Sequence, residues 1–268
     1  MNPDSRLRSN DKMALKVYET QVRNLDKKPK DKESAILFEG KLQELGFVDY
    51  LHNLPTEQQA MIQNAATRNF IPWFTVWNEN SVSTPCRIVF DASRCDSSGC
   101  SLNNLLAKGI NNMNSLLAIL IRWGVHKYAY HTDISKMYNR VRLDESHWKY
   151  QLYLWDPGLR VGVTPVWKVV KTLIYGVKPS GQLAEVALRK LAGLVKEECP
   201  LAYPVIMNDI YVDDNLSGAN SIKERNMITD QLTLALSKGG FSLKGFTFSG
   251  QAPPGHLSAD GVSVIIGG

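Results

Sequence analysis

Cysteine is scarce. The 268-residue chain has four, Cys86, Cys95, Cys100 and Cys199, too few and too unevenly spaced for the disulfide framework of a small secreted domain. Cys95 and Cys100 have no second Cys or His pair downstream to complete a tetrahedral zinc site. Long apolar runs are also missing. The longest, residues 116–121, has six residues, against the roughly 20 that span a bilayer. The first twelve residues (MNPDSRLRSNDK) place no apolar stretch behind their charges and do not read as a secretory signal. These absences predict a soluble protein of the cytoplasm or nucleus, not a secreted one, with no membrane partner. Compositional bias is absent too. Hydrophobic residues make up 44% and charged residues 21%, and the 19 Gly and 12 Pro follow no period, which excludes disordered and collagen-like chains. The length suffices for one large domain or two modest ones with a real core.

What the chain does have is a mild basic surplus. The net charge is +5, and the first 34 residues hold nine Lys/Arg against six Asp/Glu. That permits a nucleic-acid partner and equally describes a solvated basic tail. Residues 1–69 read as a loosely packed basic lead-in, with weak helical spacing over 13–22. Thr56 and Gln59 form a capping box that opens a helix ending near Asn69. Over 70–126 the period changes: 70–77 and 87–90 read as strands joined by a turn at 78–81, followed by a helix over 115–123.

From residue 127 to 268 the order of elements becomes informative. Residues 127–133 read as a strand ending at Asp133, and 150–155 and 165–170 as further strands. Ser180 caps a long helix with Leu183, Ala184, Ala187, Leu188, Leu191, Leu194 and Val195 on one face. Residues 204–212 and 215–217 bracket Asp213 and Asp214 as a hairpin tip. Ser221 and Glu224 open a helix that buries Ile228, Leu232, Ala235 and Leu236 and stops at Gly239 and Gly240. A last strand covers 241–248. This is close to the split βαβ order of ferredoxin-like sheets, an α+β fold with helices on one face of an antiparallel sheet. In that topology the first strand and the hairpin are central neighbours, so Asp133 lies beside Asp213 and Asp214.

An Asp-Asp pair in a hairpin turn is, alone, ordinary turn chemistry. Three converging carboxylates raise one another's pKa and are sustained mainly by cations. Oxygen ligands without imidazole or thiolate select Mg²⁺ or Mn²⁺, and two such ions about 3.5–4 Å apart serve in-line phosphoryl transfer.

Tyr211-Val212-Asp213-Asp214, with the strand ending Asp133-Ile134-Ser135-Lys136-Met137-Tyr138, resembles the paired catalytic motifs of reverse transcriptases. Arg87-Ile88-Val89-Phe90-Asp91-Ala92-Ser93 and Ser101-Leu102-Asn103-Asn104-Leu105-Leu106 resemble the fingers motif of BEL/Pao-type retrotransposon enzymes, over roughly residues 70–268. The resemblance implies right-hand fingers (70–126) and palm (127–268), the palm built on the ferredoxin-like sheet. It implies Asp133, Asp213 and Asp214 as catalytic metal ligands, the Ile134 carbonyl as a further ligand, and Mg²⁺ or Mn²⁺ as cofactor. Tyr138 matches the ring that obstructs a ribose 2′-hydroxyl, Arg87 the residue that grips the triphosphate, and Lys244 the lysine that protonates pyrophosphate. Gly176, in Tyr175-Gly176-Val177-Lys178-Pro179-Ser180-Gly181, matches the close approach to the nucleotide, with Lys178, Ser180 and Tyr211 toward template and primer. Gly181 stands where many relatives have Pro, and Tyr175 where others carry Gln or Phe.

The histidines (His52, His126, His131, His147, His256) show no ligand spacing, and the six tryptophans read as core, with Trp73 a candidate template contact. The resemblance implies RNA or DNA template with primer and deoxynucleoside triphosphates as partners, and location in a cytoplasmic virus-like particle or the nucleus. It also places a thumb and a ribonuclease H domain beyond residue 268, so weak processive synthesis is expected of this chain. The rival expectation is a non-catalytic nucleic-acid-binding remnant of the same fold.

Overall fold

The computed structural model describes residues 9–78 and 86–250; the turn expected at 78–81, His256 and the segment from 251 onward lie wholly or partly outside them. In chain order the elements are α1 (Asp11–Asp26), α2 (Pro29–Glu44), β1 (Val48–Tyr50), α3 (Thr56–Gln63), β2 (Trp73–Trp77), β3 (Cys86–Phe90) and α4 (Leu102–Leu105). There follow α5 (Leu116–Gly124), β4 (Tyr128–Asp133), β5 (Leu152–Trp155), β6 (Val166–Val170), α6 (Ser180–Val195), α7 (Ala202–Asn208), β7 (Ile210–Tyr211), β8 (Asp214–Ala219), α8 (Ile222–Lys238) and β9 (Thr247–Phe248). No described helix is long and apolar enough to cross a membrane. All four cysteines are free thiols.

The described residues form two compact units, one from 9–107 and 142–180, the other from 108–141 and 181–250. Residues 142–180, which belong in sequence to the region read as palm-like, thus fall in the first unit.

In the first unit β1, β6 and β5 form an antiparallel sheet in that order, and β2 pairs with β3 as a hairpin. The lead-in is not loosely packed: Ala14, Tyr18, Val22 and Leu25 of α1, at spacings of four, four and three, enter the core, with Ala35 and Leu42 of α2. That stripe is the apolar face of a helix that buries itself. The capping box at Thr56 does not form. Pro55 occupies the cap position, and Gln59 Nε2 donates instead to the carbonyls of Leu54 (2.7 Å) and His52 (3.2 Å). Trp73 is buried, its indole N–H donating to the Leu154 carbonyl at 2.9 Å, so it offers no face to a template.

The second unit holds a four-stranded antiparallel sheet ordered β9-β4-β8-β7. Counting its strands along the chain gives 4-1-3-2 with helices in the two crossovers, the split βαβ pattern. α6 buries Ala184, Leu188, Leu191, Ala192 and Val195, while Leu183 and Leu194 point outward. Ser180 does not cap it: it is the first helical residue, and its Oγ is buried without a hydrogen-bond partner. α8 begins at a Ser221 cap that accepts the Glu224 N–H at 3.2 Å. Residues 204–208, expected in a strand, are helical in α7. Pro204 sits in its first turn, where its missing N–H is no loss, and Val205 and Ile206 are buried. The last strand shrinks to two residues, with an isolated bridge at Leu243 before it, and Gly245, at φ 146°, lies between the two where the extended pairing is interrupted.

Candidate functional site

β4 and β8 are the central pair, in register from Tyr128↔Ala219 to Asp133↔Asp214. Directly opposed antiparallel residues have Cα atoms about 4.5–5.5 Å apart, so the Asp133 and Asp214 side chains leave one face of the sheet side by side. Tyr211 is also the register partner of Asp214, which leaves Val212 and Asp213 as a two-residue turn. Asp213 is tied to the end of β4 by its carbonyl, which accepts the Ile134 N–H at 2.8 Å. The turn holds backbone strain: Val212, a β-branched residue, sits at φ 56°, in the left-handed region that two-residue hairpins give to glycine or Asn. Such a conformation costs about 1–3 kcal/mol and persists only where the surroundings impose it.

The electrostatics are those of crowded carboxylates. Burial first, then the charges of Asp133 and Asp214, pushes the Asp213 carboxyl above its ordinary 3.8, with Lys244 acting in the opposite direction. The Lys244 ammonium lies 3.1 Å from Asp133 Oδ2, and His131 Nε2 lies 2.9 Å from Asp214 Oδ1. Asp133 Oδ1 is buried and has no hydrogen-bond partner. Tyr138 follows in a short 3₁₀ turn (Met137–Arg140). Its phenol is raised by burial and by the negative charge of Asp213. A Cβ at Gly181 would stand 3.2 Å from the Tyr138 hydroxyl, so the missing side chain leaves room for this phenol.

Asp133, Ile134, Tyr138, Tyr211, Asp213, Asp214 and Lys244 are thus gathered in the second unit. Arg87, Gly176, Lys178 and Ser180 belong to the first. Arg87 is exposed on β3. Gly176, at φ 95°, is needed for packing: a Cβ there would lie 2.2 Å from the Phe90 carbonyl oxygen. Lys178 is engaged by Asn103, whose carboxamide oxygen accepts the Lys178 N–H at 2.8 Å and whose main-chain carbonyl accepts the ammonium at 3.0 Å. The side chain of Ser180, expected toward the template, is buried and presents no surface to one.

Sequence reading passed over His131, although its position two residues before Asp133 on a strand puts it on the same face. It also missed Asp209 and Arg122, whose ion pair (2.9 Å) joins residues 87 apart. No local pattern marks those.

Among the described residues, no three His, Cys, Asp or Glu side chains are drawn together closely enough to form a ready-made metal site. The donor set nonetheless suits a hard divalent cation. It consists of carboxylate oxygens, one of them buried without a partner, and one carboxyl already pushed toward its neutral form by its neighbours. Occupation would require Lys244 and His131 to release the oxygens they hold.

A ferredoxin-like antiparallel sheet with carboxylates at the ends of its two central strands defines this chain as an α+β protein with an acidic site at one sheet edge. No family model matches the sequence, and no curated protein does. Among solved structures, it is similar to the prototype foamy virus protease-reverse transcriptase, with a TM-score of 0.54 and 17% sequence identity. The match covers 80% of this chain and 23% of that one. The likeness is one of fold: the chain has a reverse-transcriptase-like fold and spans about a quarter of that relative's length.

Proposed function

We propose that this chain is the fingers and palm of an RNA-directed DNA polymerase from a BEL/Pao-type retrotransposon, a nucleotidyltransferase using Mg²⁺ or Mn²⁺. The observation that carries the reading is the register Asp133↔Asp214, with Asp213 in the connecting turn. Asp133, Asp213 and Asp214 would hold the cations, with the Ile134 carbonyl as a further oxygen ligand. The chemistry that bound divalent cations supply is activation of a primer hydroxyl and stabilisation of the departing pyrophosphate oxygen.

The protein's own groups do the rest. The charges of Asp133 and Asp214, which after burial hold the Asp213 carboxyl above its ordinary range, would be offset by a bound cation. Lys244, which reaches Asp133 Oδ2 at 3.1 Å, would supply the ammonium from which the leaving pyrophosphate takes a proton. Arg87 and Gly176 serve the triphosphate, Arg87 through the bidentate geometry of guanidinium, while Tyr211 and Lys178 serve template and primer.

Tyr138 bars a ribose 2′-hydroxyl. Tyr138→Ala should therefore raise ribonucleotide over deoxynucleotide incorporation by at least about ten-fold, the scale of steric discrimination in a pocket. Primer extension with the two nucleotide types in competition reads this ratio.

The direct test incubates the purified chain with primed RNA, deoxynucleoside triphosphates and Mg²⁺. Single-nucleotide extension is expected. A second reading, a non-catalytic nucleic-acid-binding remnant, is favoured by the Lys244 and His131 contacts that hold Asp133 and Asp214. It requires that the parent chain extend no primer, and that Asp133→Asn leave salt-dependent RNA binding intact.

A further inference from the structure

The turn that carries Asp213 has little local support. β7 is two residues long, Val212 is strained, and the sheet ends there. What fixes it lies at its base, in Asp209, four residues before Asp213. Asp209 is 9% exposed, and its carboxylate is shared between two elements. Oδ1 accepts Arg122 Nε of α5 at 2.9 Å, and Oδ2 accepts the Ser217 hydroxyl of β8 at 2.8 Å. Its main-chain carbonyl accepts the Leu216 N–H (3.0 Å) and the buried Asn215 carboxamide (2.9 Å). Arg122 also donates to the Asn208 carbonyl, and Asn114 donates to the Ile210 carbonyl at 3.0 Å. A buried carboxylate with a guanidinium and a hydroxyl is a strong, directional tie.

We propose that Asp209 is a positioning residue: through the Arg122–Asp209–Ser217 clamp it holds both arms of the hairpin and so sets how Asp213 and Asp214 face Asp133. The functional consequence rests on the reading of those acids as a cation-binding catalytic centre. The clamp itself does not.

The test uses the full chain, wild type, Asp209→Asn, Ser217→Ala and the neutral pair Arg122→Gln with Asp209→Asn. Hydrogen exchange over residues 210–216 should accelerate by at least about ten-fold in Asp209→Asn, the effect of losing a charge-assisted bond. Exchange in α8 should stay as in wild type. Mn²⁺ affinity, titrated with the metal alone by electron paramagnetic resonance, should fall about 10–100-fold, as when a group orienting a metal ligand is lost. The neutral pair should recover most of both effects, and Ser217→Ala should show smaller shifts of the same sign. Unchanged exchange over 210–216 overturns the proposal, as does an acceleration spread evenly over α8. If Asp209→Asn does not fold, Ser217→Ala carries the same comparison. If the exchange pattern is as expected but wild type binds no Mn²⁺, the clamp stands and the catalytic reading of the acids falls.

Discussion

Asp213→Asn should abolish primer extension, by at least about 10³-fold, while making the cation-free protein more stable. On the proposed polymerase reading, the first effect follows from removing one of the charges that would hold the cations at the transition state, a loss of about 10²–10³-fold even for a single neutral donor. The second follows from linkage. Burial and the charges of Asp133 and Asp214 raise the folded carboxyl of Asp213 above its ordinary 3.8, so between 3.8 and the folded value the native state holds more protons than the unfolded one. Stability falls as pH rises through that window, and the penalty persists at every higher pH. Asparagine carries no such penalty. The thermal midpoint of the variant in chelator at pH 7 should therefore exceed that of wild type, and the two should converge below pH 3.8. Adding Mn²⁺ should reverse the order, because ligand at about 100 times its dissociation constant stabilises wild type by about 2.7 kcal/mol and the variant far less. A variant less stable than wild type in chelator would show that Asp213 is not strained by its neighbours.

That site was legible because it is written in short-range pattern. The aromatic and β-branched content of 127–133, the Ser221 cap and the Gly239-Gly240 stop each act within a few residues, as does the hairpin turn, although it falls at Val212-Asp213, one residue before the expected Asp213-Asp214 tip, with Asp214 already in β8. The misreadings have the opposite character. Residues 204–208 carry β-branched Val205 and Ile206, yet burial against neighbouring elements makes them helical in α7, a tertiary override of a weak propensity. The 241–248 strand looked continuous, yet its pairing is interrupted around Gly245. Arg122, which pairs with Asp209, and Lys178, which pairs with Asn103, are 87 and 75 residues away, where no periodicity reaches. His131 was discounted for lacking a second histidine, although its tie to Asp214 needed only the two-residue period. The lead-in misled through composition: α2 is rich in Lys and Glu, and one of those charges, Glu39, is a core residue.

Glu39 leads to the second large effect. It is 4% exposed and Lys168 of β6 is 0% exposed. They form a buried ion pair linking α2 to the first unit's sheet. Gln43 shares the ammonium at 2.6 Å, the Tyr50 ring lies 3.9 Å from it, and the Tyr153 hydroxyl donates to Glu39 at 2.7 Å. Burial lowers the lysine against the opposing pull of Glu39, the balance of a desolvated but fully partnered charge. Deleting one member strands the other without water, so Lys168→Met should destabilise the protein by about 3–5 kcal/mol, measured by urea unfolding. Replacing both, Glu39→Leu with Lys168→Met, should cost far less than Lys168→Met alone, because no unpaired charge stays buried and the losses are those of two neutral groups, the Tyr153 hydroxyl without its acceptor and the part-buried Gln43 carboxamide without its donor. The resulting coupling in the double-mutant cycle separates this pair from a surface bridge such as Arg23–Glu19, which is expected to contribute about 0–1 kcal/mol. A Lys168→Met cost below about 1 kcal/mol would mean that water reaches the pair and that α2 is not held by it.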